Sequence, residues 1–268
     1  MIDLKKRVSK LSKSIAYLVS RRNKAFLDKE ITLLDIKKTF PDVSTQYLYF
    51  HNYYWHRSPK CIREHRSYFK KNGRGFGEDA FHAMWYLLFK EFRPKTVLEI
   101  GVYRGQTISL WALLSKILEI NTEVHGISPF SSKGDSVTRY AGNINYYQDV
   151  TANFEKFELS RPQLHRAYST DEEAKQVISS KKWDMIYIDG NHDYDVAKAD
   201  FLNCSKEIAE NGLLVLDDSA LHTGYIPPLY SSAGHPGPSK VAKEMDGDSF
   251  TEIVSCGHNR VFMKKPGV

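Results

Sequence analysis

From Lys95 onward, short apolar runs alternate with stretches of helical periodicity, and this alternation restricts the possible folds more than any other feature of the chain. TVLEIGV (96–102) reads as a buried strand and 106–119 as a helix. EVHGISPF (123–130) is a second strand, with a helix expected in the region 144–158. PQLHRAYS (162–169) is a third strand, followed by an acid-capped helix over 171–180. DMIYIDG (184–190) is the fourth, with a helix over 194–210, and GLLVLDDS (212–219) the fifth. FTEIVSCGHNRVFMKK (250–265) reads as two strands joined by a tight Gly-His-Asn turn. Strands separated by helices pair in parallel through right-handed crossovers. The expected fold class is therefore α/β: a doubly wound, mostly parallel seven-stranded sheet with an antiparallel pair at one edge.

The chain before Lys95 has another texture. Residues 1–29 suggest an amphipathic helix in which Leu4, Val8, Leu11, Ile15 and Leu18 are spaced 4, 3, 4 and 3 apart, a short a/d seam. Packing onto the body of the protein and pairing with a second copy both fit it. A helix over 31–40 should stop at Pro41. TQYLYFHNYYWHRS (46–58) could stack on a substrate ring, although aromatics at helical spacing more often form core. NGRGFGED (72–79) lacks the lysine of a phosphate loop and follows no strand, so it reads as a hinge or lid entering a helix over 78–92. The expected division is a helical N-terminal cap and oligomerisation segment over 1–72, then the α/β domain over 73–268.

Charge follows the same division. Residues 1–95 hold 21 Lys and Arg against 9 Asp and Glu, or +12, whereas the remainder holds 17 against 23, or −6. A basic first third could meet nucleic acid, an anionic membrane or a phosphate-bearing substrate, or be a solvated helical surface. No apolar run is long enough to span a bilayer, and the first residues lack the apolar core of a signal peptide. Cys61, Cys204 and Cys256 are odd in number and without metal-ligand spacing, so they read as reduced thiols of a cytoplasmic protein.

Ligands of open α/β sheets sit beyond the C-terminal ends of the strands. After the first strand, LEIGVYRGQT places Glu99 at the strand end, with Gly101 and Gly105 able to let backbone approach a ligand. The Gly-x-x-x-Gly spacing counts against a dinucleotide fingerprint. YIDGNHDYD (187–195) and LDDS (216–219) end the fourth and fifth strands, and if these are neighbours Asp189, Asp217 and Asp218 meet. Such carboxylates repel one another unless a cation compensates, and oxygen-only ligands suit Mg²⁺ or Ca²⁺ better than zinc. Capping would explain one aspartate; a DG and a DD at successive strand ends favour a site. His192, three residues past Asp189, is the candidate general base. His222, His235 and His258 lie on C-terminal loops that could border the cleft.

At LEIGVYRGQT, YIDGNHDYDVAKADF and GLLVLDDS the chain resembles the class I S-adenosylmethionine-dependent methyltransferases, most of all the branch of the macrocin and mycinamicin O-methyltransferases and the cephalosporin-hydroxylase-like proteins. The resemblance covers about residues 73–265 and lies in the order of glycine turn, DGNH and LDD. It implies a Rossmann-like fold, with Glu99, Gly101 and Gly105 around the methionine part of S-adenosyl-L-methionine. It implies Mg²⁺ on Asp189, Asp217 and Asp218, with Asp189 also beside the cofactor and His192 as base. The family's ribose-binding acid is replaced here by Ser128, so Ser128 or a neighbour such as Asp135 must substitute, and Ser169 falls loosely at the adenine side. Acceptors in the branch are often sugar hydroxyls, which makes a sugar, nucleotide sugar or glycan-like small molecule the leading acceptor. The rival readings are a nucleic-acid methyltransferase, for which no amino-methylation motif or RNA-binding module is present, and a non-catalytic accessory protein.

Overall fold

The structure, a computed structural model, describes residues 2–20, 27, 31–132, 144–245 and 247–267. Its centre is a seven-stranded sheet of order β3-β2-β1-β4-β5-β7-β6. The strands are β1 (Thr96–Ile100), β2 (Glu123–Ser128), β3 (Gln163–Arg166), β4 (Trp183–Ile188), β5 (Ile208–Leu216), β6 (Phe250–Cys256) and β7 (Asn259–Lys264). The first five pair in parallel, and β7 runs antiparallel to both β5 and β6. The mixed, doubly wound sheet expected from the alternation is the one observed.

The parallel strands end earlier than their apolar runs suggest. Single bonds continue the ladder past them, from Gly101 N to Ile127 O, Asp189 N to Ile100 O and Asp217 N to Ile188 O. Backbone beyond β1, β4 and β5 is therefore held in place while its side chains are released from the sheet. At the other end β5 starts at Ile208 rather than 212, and the preceding helix stops at Glu207 rather than 210. Ile208 pairs with Trp183, and the register shift that follows is accommodated by Asn211 at φ 59°.

The crossover helices are α6 (Gln106–Ile117), α7 (Tyr146–Lys156), α8 (Glu172–Ser179) and α9 (Tyr194–Glu207). Ahead of the sheet come α1 (Ile2–Ser20), α2 (Leu33–Thr39), α3 (Val43–His56), α4 (Lys60–Lys70) and α5 (Asp79–Phe92). One further helix, α10 (Pro236–Lys243), lies between β5 and β6 and begins with proline, which suits a first turn whose N–H groups have no helical partner. The periodicity reading had not included α4 or α10.

Each sheet face has its own core. On one, Trp183, Ile186, Phe201 and Leu214 pack together. On the other, Trp111 and Phe89 join Tyr47, Phe50 and Tyr54 of α3, so the first helices share one continuous core with the sheet. The aromatic stretch is thus packing: Tyr47 and Phe50 are fully buried, and Asp42 caps α3 by accepting from Thr45 N. Helix α1 docks through Tyr17, whose ring meets Tyr47 at 4.9 Å. Its seam faces outward, with Leu4, Val8, Leu11, Ile15 and Leu18 between 51% and 67% exposed.

Candidate active site

Two clefts open beyond the C-terminal ends of the parallel strands and meet at Gly101, Tyr103 and Asp189. The first, of about 150 Å³, is lined by Gly101, Ser128, Tyr146, Tyr168, Ser169 and Asp189 among others. Gly101 is needed there: its φ is +101°, and a Cβ would fall 1.9 Å from the carbonyl oxygen of Asp189. Glycine alone lets the β1 and β4 ends come so close. Ser128 accepts a hydrogen bond from Phe130 N, and Ser169 lies near the buried Asp200 carboxylate. Tyr146 walls the cleft with its ring 5.1 Å from that of Tyr103. Tyr146 and Tyr168 were not singled out from sequence, because nothing local distinguishes them from packing aromatics. Asp135 lies outside the described residues.

Glu99 and Gly105 sit elsewhere. Glu99 lines the second cleft and is 3% exposed; burial pushes its pKa up to about 8, against hydrogen bonds from Thr107 and Ile108. Gly105 lines neither cleft. It opens α6 at φ +76°, with the Val150 methyls 3.1 Å from where a Cβ would stand.

The second cleft, about 400 Å³, lies between the strand ends and the first helices. Phe76, Phe81, Trp85 and Tyr230 form its apolar side. The 73–77 loop that carries Phe76 rests on Gln106, which accepts from Gly77 N. The same cleft is lined by Asp189, His192, Asp217, Asp218, His235 and His258, with the His258 ring 4.8 Å from that of Phe81.

Adjacency of β4 and β5 brings the three aspartates together. The Asp189 and Asp217 carboxyls are close enough for the charge of one to disfavour ionisation of the other. Burial, then the Asp217 charge, raises the Asp189 pKa well above the carboxylate range. Burial also disfavours the Asp218 carboxylate, but the His192 hydrogen bond and the His258 and His235 charges outweigh it and hold its pKa low. His192 Nε2 is 2.9 Å from Asp218 Oδ2, and the His192 ring stacks on His235 at 4.1 Å. His258 Nδ1 donates to Ser232 O, and its Nε2 is 3.4 Å from Asp217 Oδ1. Burial opposes charge on His258, yet Asp217, Asp218 and Glu78 raise its pKa to about 8.

The donor set differs from the oxygen-only one the strand ends suggested. Among the described residues, two groups offer ligand atoms within 4.8 Å of one another: His192, Asp218 and His235, and Asp217, Asp218 and His258. Asp189 is in neither. His235 and His258 arrive on loops after β5 and within the β6–β7 turn, and no spacing rule could have paired them with the aspartates. His222 does not line either cleft.

The strand order with its reversed β7, and clefts meeting at the glycine turn after β1, define the class I S-adenosylmethionine-dependent methyltransferase fold. Residues 98–219 match the family model described as a methyltransferase domain. Among solved structures, a Staphylococcus aureus protein assigned as a caffeoyl-CoA O-methyltransferase superposes with TM-score 0.56 at 16% identity, covering 82% of this chain and 99% of that one. A Podospora anserina methyltransferase with SAH bound superposes with TM-score 0.54 at 14% identity, covering 78% and 89%. An uncharacterized Sinorhizobium fredii protein is 24% identical over 51% of this chain, which spans only 14% of that protein's length. An uncharacterized protein of Acanthamoeba polyphaga mimivirus is 25% identical over 61% of this chain and 68% of its own.

Proposed function

We propose that the chain methylates a hydroxyl oxygen of a sugar, nucleotide sugar or glycan-like small molecule, with Mg²⁺ held at Asp189, Asp217 and Asp218. The observation that carries this reading is the junction of the clefts: the one lined by Gly101, Ser128 and Ser169 meets the one lined by the aspartates and His192. When bound, S-adenosylmethionine supplies a methyl group activated on sulfur and leaves as S-adenosylhomocysteine once the acceptor oxygen has taken the methyl.

The residues present fit a divalent cation. Asp217 Oδ1 is buried without a hydrogen bond, and the Asp217 charge opposes ionisation of the buried Asp189 beside it. A bound Mg²⁺ would supply Lewis acidity and orient vicinal acceptor oxygens. His258 stands near enough to add a nitrogen donor. Two charged carboxylates this close repel, so the fold has brought these groups together at an electrostatic cost.

His192 takes the proton of the acceptor hydroxyl. Its Nε2–H donates to Asp218, so Nδ1 is the nitrogen with the lone pair, and Asp218 stabilises the imidazolium as it forms. Phe76, Phe81, Trp85 and Tyr230 exclude water and offer apolar faces to a sugar ring. Residues 1–72 act as a cap that shapes this side of the cleft. We place the protein in the cytoplasm, in keeping with three free cysteines; no described helix is long and apolar enough to cross a membrane.

The test is turnover of labelled S-adenosylmethionine over a panel of sugars and nucleotide sugars, with and without chelator. Methyl transfer to a sugar oxygen that needs the cation is the expected result. Transfer only to amino groups of RNA or DNA would overturn the acceptor.

A further inference from the structure

Helix α1 meets the body with its polar side. Ser9, Lys10, Lys13 and Ser14 are half-buried and Tyr17 is buried, whereas Leu4, Val8, Leu11, Ile15, Leu18 and Val19 are all more than half exposed. An isolated surface helix turns its apolar stripe to the core; here the stripe is turned to solvent. It also continues onto the body, because Ser14 Oγ accepts from Leu229 N and the Tyr17 ring lies 6.5 Å from that of Tyr230. Leu229 and Tyr230 are 61% and 57% exposed, and Tyr230 lines the second cleft.

We infer that this surface is covered by the same surface of a second copy, with the two α1 helices antiparallel about a twofold axis at Leu11. The seam is nearly symmetric about that residue. Reversed, Leu4 falls opposite Leu18, Val8 opposite Ile15, and Leu11 opposite itself, as an isologous interface requires. Charge selects the same direction. Lys5 and Arg7 flank the first half of the stripe, and 15–20 carry no charge, so antiparallel pairing sets each basic half against a neutral one. Parallel pairing would bring the two basic halves together.

A stable dimer needs on the order of 800 Å² per partner. Six seam side chains with Leu229 and Tyr230 offer apolar surface of that order. A helix lying in a lipid interface keeps its cations on the face that stays in water. In α1, Lys10 and Lys13 are instead turned toward the body. The seam therefore suits protein better than lipid, and the dimer places the second copy beside the mouth of the second cleft.

Light scattering on the full chain at high micromolar concentration should give twice the monomer mass. Leu11→Glu with Ile15→Glu should weaken association by roughly 100-fold or more. Both positions are half exposed, so circular dichroism and cofactor affinity should match wild type. In a Cys61→Ser background, Leu11→Cys should form a disulfide with itself under mild oxidation. Leu4→Cys should not, but should cross-link to Leu18→Cys when the two are mixed. A monomeric wild type overturns the dimer, as does a monomer that partitions onto phosphatidylcholine–phosphatidylglycerol vesicles. Efficient self-cross-linking of Leu4→Cys overturns the antiparallel arrangement. None of these readouts uses methyl transfer, so the inference stands or falls apart from the proposed reaction.

Discussion

His192 Nε2 lies 2.9 Å from Asp218 Oδ2, a contact between the loop after β4 and the end of β5 that orients the imidazole at the edge of the second cleft. Only the neighbouring positions of the two strands in the sheet bring these residues together.

His192→Ala should lower turnover by roughly 10²–10⁴-fold while S-adenosylmethionine affinity stays within a factor of a few. Asp218→Asn should also depress turnover, since an amide does not stabilise the imidazolium. Single-turnover kinetics beside calorimetric titration would measure both, and a near-normal His192→Ala rate would remove the base assignment.

Asp189→Asn should leave the melting temperature unchanged or raised, because it removes a buried acid whose charge burial and Asp217 both oppose. Turnover should fall severely, and Mg²⁺ should cease to shift the melting curve. Full activity of the wild type in excess chelator would discard the cation.

Gly101→Ala should weaken cofactor binding by an order of magnitude or more, since its Cβ would meet rigid backbone at Asp189. Gly105→Ala should act mainly on stability, about 1 kcal/mol, because its left-handed φ opens α6 away from both clefts. Isothermal titration with chemical denaturation would separate the two. Unchanged affinity in a folded Gly101→Ala protein would place the cofactor elsewhere.

Acid should destabilise the fold through a buried histidine pair. His65 Nδ1 is 3.3 Å from His82 Nε2, and His65 Nε2 is 2.9 Å from Ser109 Oγ. Burial, then the Arg66 charge, lowers the His65 pKa to about 3, and burial likewise lowers that of His82. Unfolded histidine titrates near 6.5. Below that value the unfolded chain binds protons that the folded one refuses, so stability is fully present above about pH 6.5 and declines toward pH 3. His65→Leu combined with Ser109→Ala should flatten this decline in denaturant titrations across that range. An unchanged slope would show that the pair does not control it.

The sequence by itself determined the sheet and which residues stand at its edge. Alternation of apolar runs and helical periods encodes strands and crossovers residue by residue, and Gly101, Asp189, Asp217 and Asp218 were legible because each follows directly on an apolar strand. The aromatic run of α3 left both stacking on a ligand and core packing open, and the burial of Tyr47 and Phe50 decided for core. What only the tertiary structure decided is which distant groups converge. His235 and His258 reach the aspartates on loops whose path depends on α10 and the β6–β7 turn, and Glu99 turns to the second cleft instead of the first. The outward face of α1 is of the same kind: periodicity shows that a helix has an apolar stripe, but which side it docks depends on Tyr17 finding a buried place against Tyr47. Local pattern is carried by neighbours in the chain, whereas convergence and docking follow from packing between segments far apart in it.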